Sequence, residues 1–79
     1  MVHVPVKSSL LQSVAYDSVK LVLQAKFTSG TIYNYFDVPP DIYKKLLAAE
    51  SKGSYFIHEV RDCFEYEKEP VGRRSRAAY

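Results

Sequence analysis

The chain is poor in cysteine and lacks tryptophan: Cys63 is its one cysteine among 79 residues. A single cysteine cannot form an internal disulfide. The sequence therefore excludes a disulfide framework and a cysteine-rich zinc site. This cysteine usage fits a reducing compartment, and we expect a cytoplasmic protein.

Long apolar runs are also missing. No stretch approaches the roughly 20 apolar residues that a membrane span needs. The N-terminal stretch MVHVPVKSSLLQSV has no basic start followed by an apolar run, so we predict no signal peptide. Both absences predict a soluble protein that makes no membrane contact.

Positive charge is concentrated at the C-terminus. Arg73, Arg74 and Arg76 lie in the last seven residues, and without them the formal net charge falls from +2 to −1. Non-specific nucleic-acid binding depends on cationic side chains that neutralise phosphates. We therefore expect any such affinity to reside in this tail or in a local patch, the alternative being a tail that only improves solubility.

The length is sufficient for one domain with a core near the lower size limit of independent folding. Tyrosine and phenylalanine are abundant, with seven and four copies, and each gives a small core a large buried area. We predict a flexible lead-in over residues 1–7, a single domain over residues 8–69 and a basic flexible tail over residues 70–79.

Three segments have the pattern of β-strands. The clearest is KLVLQAKF, residues 20–27, in which Leu21, Leu23, Ala25 and Phe27 fall on one face and Lys20, Gln24 and Lys26 on the other. LLQSVAY at residues 10–16 precedes it and TIYNYF at residues 31–36 follows it. A short extended piece is also expected in EYEKEP, residues 65–70.

The turn between the second and third strands decides where Tyr33 and Tyr35 point. A two-residue loop would place both rings on the polar face, whereas a three-residue loop ending at Gly30 pairs Phe27 with Thr31 and places them on the apolar face. We favour the longer loop, because glycine in its last position is what that turn requires. The rings then belong mostly to the core, beneath the first helix.

Two amphipathic helices follow. Pro40 suits the first position of a helix that continues through DIYKKLLAAE, and Gly53 is predicted to cap its C-terminus. Ser54 is predicted to begin the second helix, SYFIHEVRDCF, which places Cys63 in the core. The predicted fold class is α+β, a small antiparallel three-stranded β-meander packed against two α-helices.

Several of these motifs together resemble the KTSC domain, a module named from the C-termini of certain lysyl-tRNA synthetases and also found as stand-alone bacterial or phage proteins. The similarity runs from Ser8 to Tyr66 and is strongest in SGTIYNYFDVPPDIYKKLLAAESKG. It implies a meander with helices on one side, and the synthetase context suggests RNA binding. The family often has asparagine where this chain has Leu10 and Ile57; if those asparagines form a polar site, it is lost here.

The resemblance and the pattern together give four candidate ligand-binding residues. Tyr33 and Tyr35 occupy the family's Tyr-x-Tyr motif and could stack on nucleotide bases if exposed. Lys52, from the Ser-Lys-Gly motif, and Arg61 could hold a phosphate at the start of the second helix. The alternative is that the tyrosines fill the core and that the charges are ordinary solvated side chains.

Catalysis and metal binding have little support. His58 and Cys63 are five residues apart on one predicted helix and fall on different faces, and no nucleophile has a base beside it. We therefore predict no catalytic residue, metal or cofactor. The leading hypothesis is a non-catalytic module that binds RNA or a nucleotide. The alternative is a small protein–protein adaptor that docks on a host protein through an exposed edge strand.

Overall fold

Each strand pairs with the next strand along the chain. The structure, a computed structural model, describes residues 2–69, so the predicted tail with Arg73, Arg74 and Arg76 lies outside the described residues. Five antiparallel strands form one sheet in the order β1-β2-β3-β4-β5. The elements are β1 Val4–Pro5, β2 Leu11–Asp17, β3 Val22–Phe27, β4 Ile32–Tyr35, α1 Pro40–Ala48, α2 Lys52–Phe56, a π-helix Ile57–Arg61 and β5 Tyr66–Lys68.

The predicted three-stranded meander is therefore wrong in its number of strands, although the α+β class is confirmed. β1 lies in the predicted lead-in, where Val4 pairs with Val14 and Pro5 with Ser13. Proline cannot donate to a ladder, but at a sheet edge no donor is required of it. β5 arises from the expected extended piece and pairs with β4. Strands of two or three residues are too short to show a hydrophobic period.

The turn between β2 and β3 is closed by Asp17. Its Oδ1 accepts hydrogen bonds from the backbone N–H groups of Val19 and Lys20 at 2.9 and 3.0 Å. The Lys20 hydrogen bond is the main reason that the pKa of this carboxyl lies below its ordinary value. Leu21 has a φ of +58° and precedes β3, so the strand begins two residues later than predicted.

The hairpin between β3 and β4 has the predicted three-residue loop. The Phe27 N–H donates to the Thr31 carbonyl and the Gly30 N–H to the Phe27 carbonyl, both at 2.8 Å. Gly30 has a φ of +95°, which L side chains rarely adopt. Ala25 consequently lies opposite Tyr33 and Leu23 opposite Tyr35, so both tyrosines are on the apolar face.

The first helix begins at Pro40 as predicted, but the junction with the second differs. Ser51 is the N-cap of α2, and its side chain accepts a hydrogen bond from the Ser54 N–H at 3.3 Å. The predictions of Gly53 as a C-cap and Ser54 as an N-cap are both wrong. The serine three residues earlier satisfies the free N–H of the first turn, so Gly53 lies inside α2.

The core lies between the sheet and the helices. It contains Leu11, Val14, Leu23, Ala25, Tyr35, Val38, Leu46, Phe56 and Val60. The Tyr16 ring stacks on Tyr43 of α1 at 5.0 Å between centroids, and its hydroxyl donates to the Val38 carbonyl. Tyr35, in contrast, packs on Phe56 of α2 at 5.3 Å, so the helical ring in contact with it belongs to the second helix and not to the first as expected.

Cys63 is exposed, which corrects its predicted place in the core. The second helix changes from α-helix to π-helix at Ile57 and ends at Arg61. A π-helix bonds each residue to the fifth along the chain and not to the fourth. The α-helical spacing that predicted Cys63 on the buried side therefore stops applying before that residue.

Within residues 2–69, no helix combines the length and the apolar character needed to cross a membrane.

Gly53→Ala should lower the free energy of unfolding by about 1 kcal/mol. An added Cβ would lie 2.9 Å from Ser8 Oγ, which accepts hydrogen bonds from the N–H groups of Leu10 and Leu11. Moving Ser8 breaks both. Urea unfolding followed by circular dichroism measures the change.

The matched control is the same substitution in a Ser8→Ala background. There the clashing oxygen is gone, and alanine gains up to about 1 kcal/mol over glycine from its higher helix propensity. Gly53→Ala should then be neutral or stabilising. Equal destabilisation in both backgrounds would contradict this explanation.

Ionisation of Tyr35 should make the folded state less stable in alkali. Burial of the ring raises the pKa of Tyr35 to about 12, whereas an unfolded tyrosine ionises near 10. The unfolded state therefore loses its proton first, and the free energy of unfolding should fall as pH rises from about 10 to about 12. Urea unfolding between pH 9 and 11 should show a shallower fall for Tyr35→Phe; parallel curves would refute the assignment.

Candidate functional site

Three of the four predicted ligand-binding residues line one depression at the β4–β5 side of the sheet. This aromatic groove has a volume of about 380 Å³ and is lined by Phe27, Tyr33, Tyr35, Arg61, Asp62 and Tyr66. Its aromatic side chains come from β3, β4 and β5, and its two charged residues come from the end of the second helix. The sheet register therefore supplies the rings, and the π-helix brings the charges to them.

The rings of the aromatic groove contact one another in sequence. Tyr33 lies 5.2 Å from Phe27 and 5.5 Å from Tyr66 between centroids, the second pair edge to face. Tyr66 also lies 5.6 Å from Tyr35. Such tilted and edge-to-face pairs stabilise one another. The groove is therefore an extension of the aromatic core that reaches the surface.

The two tyrosines of the family motif differ in exposure. Tyr35 is 2% exposed, because Phe56 and Tyr66 cover its ring, so it offers no free face for a base. Tyr33 is half-buried. The ring best placed to meet a ligand is that of Tyr66, which is 57% exposed.

Sequence reasoning missed Tyr66 and Phe27 as members of the site. Phe27 lies on the apolar face of β3, as the alternation in KLVLQAKF predicts, but no local pattern shows that its ring lines this groove. Tyr66 lies in a three-residue strand. The alternation of glutamate with tyrosine and lysine in EYEKE indicates a strand, but it does not show which strand this one pairs with.

Arg61 is the cation of the groove. Its side chain is 50% exposed, and its Nε lies 3.7 Å from Asp62 Oδ1. The Asp62 side chain is itself 78% exposed. Because an exposed ion pair contributes little, the guanidinium can turn to an anionic ligand at small cost.

Lys52 does not reach this groove. Its Nζ donates to the Ala49 carbonyl at 3.0 Å, directly after α1. Here the ammonium satisfies a carbonyl that the helix end leaves free. The structure thus brings Tyr33, Tyr35 and Arg61 together and places Lys52 at the junction between the helices.

A second and wider depression lies beside the first. This acidic groove, of about 730 Å³, is lined by Phe36, Asp62, Cys63, Phe64, Glu65, Tyr66 and Glu67. Three of these residues are carboxylates and three are aromatic. Six of its lining residues are consecutive, but sequence reasoning did not find it, because Phe36 joins them only when β5 pairs with β4.

The opposite face of the sheet is polar and internally bonded. His3 contacts Ser13 Oγ through Nδ1 at 2.8 Å and Gln24 Oε1 through Nε2 at 2.6 Å, and Gln24 Nε2 donates to Asn34 Oδ1 at 2.9 Å. The polar groups of these side chains satisfy one another. Within residues 2–69, no three histidine, cysteine or carboxylate side chains are grouped so as to hold a metal ion.

Comparisons with known proteins agree on one family. The model of the KTSC domain matches residues 7–64. A protein of Tsukamurella paurometabola is 43% identical over 60 residues, covering 76% of this chain and 90% of its own length. An uncharacterised protein of Stutzerimonas stutzeri is 41% identical over 56 residues, covering 71% and 79%.

The lysine–tRNA ligase of Trichormus variabilis is 36% identical over 62 residues, which cover 78% of this chain and 11% of the ligase. In structure, the chain resembles a KTSC domain protein of Yersinia pestis with a TM-score of 0.82 and 30% identity, over 85% of this chain and 94% of that one. The alignments cover 90% and 79% of the two small relatives and 94% of the Yersinia chain. The chain belongs to the KTSC domain family.

Proposed function

We propose that this KTSC domain is a non-catalytic binding module that holds an unpaired base of RNA, or a nucleotide, in the aromatic groove. One observation carries the proposal: the exposed ring of Tyr66 and the half-exposed guanidinium of Arg61 line the same depression. A ring and a cation in one depression suit the two parts of a nucleotide, a flat base and a phosphate.

Each residue then has a distinct role. Tyr66 and Tyr33 offer ring surface to the base, since every base has a π-face that can stack on an aromatic side chain. Arg61 supplies donors to the phosphate, which its planar fork suits. Asp62 accepts a hydrogen bond from a base amine or a ribose hydroxyl. Tyr35 supports Tyr66 from beneath and does not contact the ligand.

Two further facts support the proposal. Relatives of this domain form part of lysine–tRNA ligases, enzymes whose substrate is an RNA. The last seven residues also contain three arginines. Because the rest of the chain carries a formal charge of −1, we expect the groove to select a ligand mainly by stacking and the tail to add salt-dependent affinity.

Titration of the full chain with a seven-nucleotide single-stranded RNA and with AMP tests the groove. NMR should show shifts at Tyr33, Arg61 and Tyr66. Tyr66→Leu should weaken binding about tenfold, because stacking on one ring contributes roughly 1–3 kcal/mol. Arg61→Gln should also weaken it.

Lys44→Gln is the matched control for Arg61→Gln. It removes one positive charge from an exposed position on α1 and should leave the affinity nearly unchanged. Equal losses from the two substitutions would mean that only overall charge matters. Unchanged binding by Tyr66→Leu, with the protein still folded, would refute the stacking proposal.

The tail should account for much of the salt dependence. Replacing Arg73, Arg74 and Arg76 by glutamine should reduce the slope of log affinity against log salt by about 2, at roughly 0.7 per neutralised phosphate of a single strand. Fluorescence anisotropy between 50 and 200 mM salt measures this slope. A slope that does not change would show that the tail makes no phosphate contact.

A further inference from the structure

The last strand of the described sheet, β5, has main-chain groups that the sheet does not use. Within residues 2–69 β5 pairs only with β4. The Glu65 carbonyl accepts from the Phe36 N–H at 2.9 Å and the Glu69 N–H donates to the Ile32 carbonyl at 2.7 Å. Hydrogen-bonded pairs in an antiparallel ladder alternate with non-bonded pairs.

By that alternation Glu67 is also a bonded position, and the main-chain groups of Tyr66 and Lys68 point outward. Tyr66 lies opposite Tyr35 and Lys68 opposite Tyr33, which are the non-bonded positions. The N–H and C=O groups of Tyr66 and Lys68 therefore point away from β4. All three residues of β5 are exposed, and such an edge is a template for another strand.

The surface beside this edge carries negative charge. The acidic groove places Asp62, Glu65 and Glu67 around the rings of Phe36, Phe64 and Tyr66, and its lining contains no basic residue. Carboxylates repel the phosphates of a nucleic acid. This surface therefore does not favour the nucleotide ligand proposed for the aromatic groove. It complements a chain that presents arginine or lysine together with apolar side chains.

We propose that the β5 edge and the acidic groove form a docking site for an extended basic peptide segment of a partner protein, which adds to the sheet as a further strand. Main-chain groups of Tyr66 and Lys68 bond the peptide. Its basic side chains lie on the face of the sheet that carries Glu65 and Glu67, and the apolar side chains between them lie on the other face, beside Tyr66. Lys68 disfavours a basic residue beside it and so helps to set the register.

The peptide proposal does not rest on nucleotide binding. The two grooves share Asp62 and Tyr66, but different charged residues distinguish them. Arg61→Gln, which should weaken nucleotide binding, should leave peptide binding unchanged or slightly stronger because it removes a repelling charge. Removing the charges of Glu65 and Glu67 should weaken peptide binding and should not weaken nucleotide binding. The two proposals can therefore fail separately.

The probe is a fluorescein-labelled seven-residue peptide in which arginine alternates with valine, titrated into the full chain at 50 mM salt. A matched peptide with glutamate in place of each arginine should not bind. Glu65→Gln combined with Glu67→Gln should weaken the arginine peptide about three- to tenfold, given the small energy of each exposed ion pair. Glu50→Gln, at an exposed position after α1, should not change its affinity.

Amide hydrogen exchange distinguishes strand addition from simple charge attraction. With the arginine peptide bound, exchange at the N–H groups of Tyr66 and Lys68 should slow at least tenfold. A peptide N-methylated at the alternate residues that face β5 should lose binding, whereas one methylated at the other residues should retain it. Binding without amide protection, or equal effects of both methylation patterns, overturns the proposal.

Other occupants give different results. If the chain's own arginines fill the site, replacing Arg73, Arg74 and Arg76 by glutamine should create peptide binding that the natural chain lacks. If a second copy fills it, analytical ultracentrifugation should show a dimer that the arginine peptide dissociates. Either result would overturn the proposal of an external basic partner.

Discussion

Packing of the Tyr35 ring against Phe56 and Tyr66 joins the three parts of this small protein. The ring projects from β4, Phe56 belongs to α2 and Tyr66 belongs to the last strand. A domain of this size has few residues that can be fully buried, so a large ring at such a junction contributes much of the available apolar area. The hairpin loop at Gly30 makes this possible, because a slip of one residue would turn the ring to the polar face.

The candidate sites are a consequence of where this aromatic packing stops. Helix α2 covers Tyr35 but leaves Tyr66 exposed, so the row of rings that begins in the core continues to the surface. Arg61, at the end of the π-helix, lines one groove, Glu65 and Glu67 line the other, and Asp62 and Tyr66 line both. One exposed ring therefore borders a groove that contains a cation and a groove without one, and this arrangement underlies two proposals with ligands of opposite charge.

Local patterns were sufficient for much of the fold. The period of two in KLVLQAKF, the glycine at position 30 and Pro40 each act over a few residues, and the elements that they predicted are present. Interpretation from the sequence failed where distant residues decide. Val4 and Pro5 become a strand only because β2 offers an edge, and Cys63 is exposed because the helix changes its hydrogen bonding after Phe56. The helix junction was missed because Ser51 and Ser54 are equally good caps by composition.

The family, the α+β class, the register of the β3–β4 hairpin and three residues of the aromatic groove could be predicted from the sequence alone. They depend on short-range stereochemistry and on short family motifs. Three other features required the folded structure: Tyr35 is buried while Tyr66 is exposed, Lys52 donates to the Ala49 carbonyl, and two grooves of different charge lie side by side. Exposure and charge grouping depend on which segments pair across the sheet, and no local pattern of residues specifies that pairing for a strand as short as β5.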